Sequence, residues 1–102
     1  MDSAELNRLI GLLESIENDT IDIKSAETVF LTFDQEALNP LKGVLANLHH
    51  FFDDEDIRNR DVHYKLMQYA ELKKLISFLK SHKFEQANAV SFLDVSNASE
   101  ST

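Results

Sequence analysis

An all-α fold, a small bundle of four to five helices, is what this sequence predicts, and three observations predict it. Apolar residues recur at three-and-four spacing over Leu6 to Ile16 and Leu41 to Phe52, the period of a helix face. Only two glycines and one proline interrupt the chain. Its 102 residues, 43% of them hydrophobic, suffice for one core and are too few for two.

The first helix is marked by Leu6, Leu9, Ile10, Leu13 and Ile16, with Asp2 or Ser3 as cap and Glu5 in the first turn, where an acid favours the helix dipole. Gly11 weakens it by about 1 kcal/mol relative to alanine, and Asn18-Asp19 ends it. Residues 20–38 carry two patterns. Ala26, Val29, Phe30, Phe33 and Ala37 form a helical stripe, the favoured reading, while Thr28 to Phe33 is rich in strand formers. The rival α+β fold pairs strands within 20–33 and adds a third from 89–95, because a lone hairpin is too weak in water.

Asn39-Pro40 opens a new helix, since proline suits the first helical position. Leu41, Val44, Leu45, Leu48, Phe51 and Phe52 then keep the helical period. Asp53-Asp54-Glu55-Asp56 breaks the apolar pattern and feeds the last long helix, which starts between Asp54 and Asp61 and runs to about His82 with lysines toward its end. Phe84 to Val95 reads as a short docking helix or the rival third strand. The chain is thus one helical domain over 1–95, with a small polar tail over 96–102 expected to be disordered.

Eighteen acids against ten bases give a formal charge of -8, the wrong sign for binding nucleic-acid phosphates. The charge is uneven, with nine acids and two bases before Leu41 but two acids and five bases from Asp61 to Lys83. Such asymmetry permits attraction between the two halves of the chain or to a basic partner. No cysteine is present, which removes disulfides, thiolate zinc sites and cysteine nucleophiles. No apolar run reaches the ~20 residues of a membrane span, and the acidic start, Met1-Asp2-Ser3-Ala4-Glu5, is unlike a secretory leader. A cytoplasmic location without membrane contact is the expectation.

Leu66, Met67, Tyr69, Ala70, Leu72, Leu75, Ile76, Phe78 and Leu79 surround the last helix instead of lining one side. A helix apolar on every side needs neighbours on every side. That marks Leu66, Met67, Tyr69, Leu72, Leu75 and Phe78 as candidate partner-binding residues, alongside its use as the centre of a single-chain bundle. The polar segment Ile57 to Lys65 adds Arg58 and Arg60, whose guanidinium groups suit carboxylates of a partner.

A second constellation is His49-His50 with Asp53-Asp54, four apart in each pair, and His63 nearby. On a continuous helix this spacing places imidazole and carboxylate toward one divalent ion. Capping and solvation explain the same acids without metal, and neither HExxH nor a calcium loop is present. Gly11 and Gly43 both fall in helical context, so no phosphate-cradling loop is encoded, and no GxSxG elbow appears. Catalysis has no specific support. The function expected is protein binding, as a homo-oligomer or as an acidic adaptor, inhibitor or immunity-type module without cofactor. The alternative is a divalent-metal-dependent hydrolase built on the His/Asp cluster.

Overall fold

The computed structural model describes residues 1–92 and is all-α, with six α-helices and a short 3-10 turn among them. The expected polar tail and the stretch 93–95 lie outside the described residues. Helix α1 spans Ser3–Glu17, capped by Asp2, whose carboxylate accepts from the Ala4 and Glu5 amides. Leu6, Leu9, Leu12, Leu13 and Ile16 face the core. Asn18 ends the helix and Asp19 follows at φ 58. The Thr20 amide reaches Ser15 O and the Asp19 amide reaches Ile16 O, the paired bonds of a Schellman stop.

Helix α2, Ile23–Phe30, decides the ambiguous region, with Asp22 capping the Ser25 amide at 3.1 Å. Hydrogen bonds from Ser25 hold the Asp22 carboxyl below its ordinary pKa. The hairpin reading is therefore corrected: residues 20–33 contain a helix, and no strand occurs among the described residues. Ala26 and Phe30 are one turn apart and both buried, a pairing that a strand would also allow but that the Asp22 cap resolves toward helix. The helix is shorter than the stripe implied. Phe33 enters the core from a turn after Phe30, and Arg8 pins that turn by lying over the Phe33 ring at 4.4 Å and donating to Thr32 Oγ1 at 2.6 Å.

Asn39–Leu41 is the 3-10 turn and Lys42–Asp53 is α3. No residue next to α3 caps it. Asn88, 44 positions away, accepts from the Val44 amide at 2.9 Å and donates to Pro40 O at 2.8 Å. A Cβ on Gly43 would lie 2.9 Å from both Asn88 Cβ and Asn88 O, so the approach needs glycine.

The acidic block becomes a short helix of its own, α4 (Glu55–Arg60), with acids in its first turn. Asp61 then caps α5, Val62–Lys80, by accepting from the His63 and Tyr64 amides. His82 at φ 56 closes α5 in a second Schellman stop, with Lys83 N bonded to Phe78 O. Helix α6, Phe84–Ala89, packs on α3 and α5. After it the chain runs extended, with Asn47 donating to Val90 O at 2.6 Å and Phe92 buried against Phe51. Helix α1 packs on α2 and on α5, so α5 is enclosed by α1 on one flank and α6 on the other. No helix is long and apolar enough to cross a membrane.

Candidate functional site

At ~100° per residue the apolar circumference of α5 divides into three stripes about 120° apart. The first, Leu72, Leu75, Ile76 and Leu79 with Gln68, is the buried stripe. The second carries Met67 and Phe78, both half-buried, and Phe78 shares a groove with α6. The third, Val62, Leu66, Tyr69, Ala70 and Lys73, faces outward beside α1. Val62 is 62% exposed and Leu66 63%. Its lower edge is a groove of about 350 Å³ lined by Glu17, Leu66, Tyr69, Ala70 and Lys73.

The rim of this groove is a salt bridge, Lys73 Nζ to Glu17 at 3.4 Å. Tyr69 packs its ring against Phe51 at 6.0 Å between centroids and carries Lys65 Nζ at 5.6 Å from its own. Burial raises the Tyr69 phenol above its ordinary pKa, and Asp19 adds to the rise. The result is an apolar strip with an aromatic floor and lysines at its border, a composition that suits a protein contact.

A second groove, about 400 Å³, lies between α5 and α6 and is lined by Glu71, Lys74, Phe78, Gln86, Ala89, Val90 and Ser91. Phe78 packs partly on the core there.

The candidate partner-binding residues are thus separated by the fold. Leu66 lies on the open stripe, Tyr69 beneath it, Phe78 on the α6 side, and Met67 is half-buried on the same stripe as Phe78. Leu72 and Leu75 are core residues at 0% and 1% exposure, so they hold α5 in place. Arg60 is exposed, its Nε donating to Asp56 O at 3.3 Å. Arg58 is buried at 4% exposure. Its guanidinium lies over the Phe51 ring at 4.0 Å, and Nη1 donates to Gln68 Oε1 at 2.5 Å and to the Phe51 carbonyl.

Gln68 completes a buried polar network by donating through Nε2 to Asp54 Oδ2 at 2.9 Å and to Phe92 O at 3.0 Å, while Tyr64 donates its hydroxyl to Asp54 at 2.7 Å. Burial pulls the Arg58 pKa down, opposed by Tyr69, Asp54, Glu55 and Tyr64. Arg58 Nη2 has no hydrogen-bond partner among the described residues. Such a network fixes α3, α4, α5 and the segment after α6 in one register.

The His/Asp constellation is not gathered. His49 is exposed with its ring edge-on to Phe30 at 5.0 Å, His50, Asp53 and His63 are exposed, and Asp54 is engaged by Gln68 and Tyr64. The four-residue spacing is kept, since His49 and Asp53 both lie within α3 and the Asp54 amide bonds His50 O, but His63 stands beyond the break, at the start of α5. No group of three or more His, Asp or Glu side chains among the described residues is placed to hold a metal ion.

Two features were missed from sequence. Val62 stands one turn before Leu66 on the open stripe, and its position just after the Asp61 cap was the available signal. Gln68 breaks an otherwise apolar buried stripe, a pattern that marks a buried polar partner. No protein-family model, curated protein or solved structure matches this chain.

Proposed function

We propose that this chain is a protein-binding module that docks through the outer stripe of α5, with a cytoplasmic setting and no cofactor. The observation that carries the reading is the exposure of Val62 and Leu66, 62% and 63%, on one helical stripe above the groove floored by Tyr69 and Ala70. Two branched aliphatic side chains so exposed, on a helix whose opposite stripe is fully buried, are costly to leave in water, and docking removes them from it. Tyr69 is rigid and amphipathic, the type of residue that anchors interfaces. The acidic remainder of the chain speeds and selects encounters, as an adaptor, inhibitor or immunity-type protein requires.

The test compares wild type, Leu66→Glu and the control Asn7→Glu, exposed on α1, in a native-lysate pull-down with partners identified by mass spectrometry and light scattering run in parallel. Wild type and Asn7→Glu are expected to retain the same partner or to self-associate. Leu66→Glu loses either without change in urea midpoint. Equal behaviour of Leu66→Glu, or a strict monomer that retains nothing, overturns the proposal.

A further inference from the structure

We infer that the arm formed by α6 and the extended residues after it, Phe84 to Phe92, is exchangeable between two copies of this chain. In the exchanged dimer α5 and α6 run on as one helix, and each arm seats on α3 and α5 of the other copy. The inference is independent of the outer α5 stripe and starts from the joint. Only Ser81, His82 and Lys83 separate Lys80, the last residue of α5, from Phe84, the first of α6. The reversal between the helices depends on His82 at φ 56, the left-handed region, where a side chain costs conformational energy that glycine escapes.

No other residue at the joint stops the helix. From Val62 to Val90 the sequence holds neither glycine nor proline. Once His82 takes helical angles, α5 continues through Ser81 and Lys83 into α6 as a rod of about 42 Å. Short, strained connections of this kind favour exchange of the element they attach.

The arm carries its own docking contacts. Helix α6, at six residues, is too short to stand alone in water, and it packs on α3, α5 and the 3-10 turn. Asn88 accepts from the Val44 amide and donates to Pro40 O, Asn47 donates to Val90 O, Gln68 donates to Phe92 O, and Phe92 packs on Phe51. Each of these joins the arm to the body between residues 40 and 68, and none involves the joint, so a second copy's body can supply them all. Exchange gives up the bond from Lys83 N to Phe78 O and the stacking of His82 on Phe84 at 5.4 Å, since residues two apart on a helix do not face each other. It relieves the His82 conformation in both copies and is opposed by the entropy of association, so concentration sets the balance.

Refolding from urea over a series of protein concentrations tests this, with each sample then diluted to one low concentration and read by size exclusion with light scattering. Wild type is expected to yield a dimer at the high end of the series that persists on dilution, because release of an exchanged arm requires part of the fold to open. His82→Ala and His82→Gly lose the exposed imidazole alike and differ in backbone preference, alanine favouring the continuous helix and glycine the turn. The helical and the left-handed preference are each a factor of about five per chain, and a two-fold dimer counts both twice. The concentration giving half dimer is therefore expected to be at least about a hundredfold lower for His82→Ala than for His82→Gly. Adding Leu66→Glu to His82→Ala is expected to leave that dimer unchanged.

Equal dimerisation of the two His82 variants, or a wild type that stays monomeric at every concentration, overturns the exchange. A dimer that Leu66→Glu abolishes, or that dissolves at once on dilution, is a pair docked on the α5 stripe; it also overturns the exchange and leaves the docking reading standing.

Discussion

Gly11 and Gly43 are both helical, yet alanine at the two positions should shift stability in opposite directions. Nothing lies within 4 Å of a Cβ built on Gly11, which sits exposed inside α1. Gly11→Ala therefore gains the helix-propensity difference, about 0.5–1 kcal/mol. At Gly43 the same Cβ sits 2.9 Å from Asn88 Cβ and Asn88 O, so the end of α6 must retreat.

Retreat stretches two hydrogen bonds, Val44 N to Asn88 Oδ1 and Asn88 Nδ2 to Pro40 O. Losing the cap on α3 costs about 0.5–2 kcal/mol, and the second bond about 1 kcal/mol more. Offset by the propensity gain, Gly43→Ala is expected to destabilise by roughly 1–2 kcal/mol. Urea unfolding followed by circular dichroism measures both variants. Asn88→Ala should carry much of the same loss, so the double variant should fall short of the sum. A Gly43→Ala protein as stable as Gly11→Ala would refute the Asn88 cap and the close approach of α3 to α6.

The three stripes of α5 make a second prediction: Leu72→Ala costs about 2.7–5 kcal/mol as a fully buried cavity, while Leu66→Ala costs under about 0.5 kcal/mol, and similar losses would show that Leu66 is core. Spectrophotometric titration should find a tyrosine ionising above the ordinary range and Tyr69→Phe removing it. Because the folded phenol has the raised pKa, its contribution to stability is present below about pH 10 and is lost as pH rises through the folded value. Thermal denaturation with magnesium, manganese or zinc should move Tm by less than about 1 °C; a shift of several degrees would restore the His/Asp cluster as a metal site.

Much of the fold was legible because its signals are local. Asp2 before Leu6 to Ile16, Asn39-Pro40 before Val44 to Phe52, and the lysines toward the end of α5 each encode an element within a few residues of themselves. The short α2 was harder, since Phe33 follows Phe30 at a spacing that a continuing helix and a buried turn share. The cap on α3 was invisible, because its donor and acceptor are 44 positions apart.

The binding face was legible only in part. Apolar residues around α5 announced surplus surface, but spacing alone does not say which stripe meets the core. Leu72 and Leu66 differ in fate only because α1, α4 and α6 pack against α5 and leave the Leu66 stripe open. Arg58 misled for a related reason: its neighbours in sequence are solvated, and Phe51 and Gln68, which enclose it, come from other helices.

The claim that the outer α5 stripe is a docking face is tested most directly by amide NMR of the labelled chain, recorded across a dilution series and with any partner it captures. Shifts or broadening are expected to concentrate at Val62, Leu66, Tyr69, Ala70 and Lys73. Perturbations centred instead on the exposed side of α2 or α3, or spectra that stay unchanged in every condition, would contradict it.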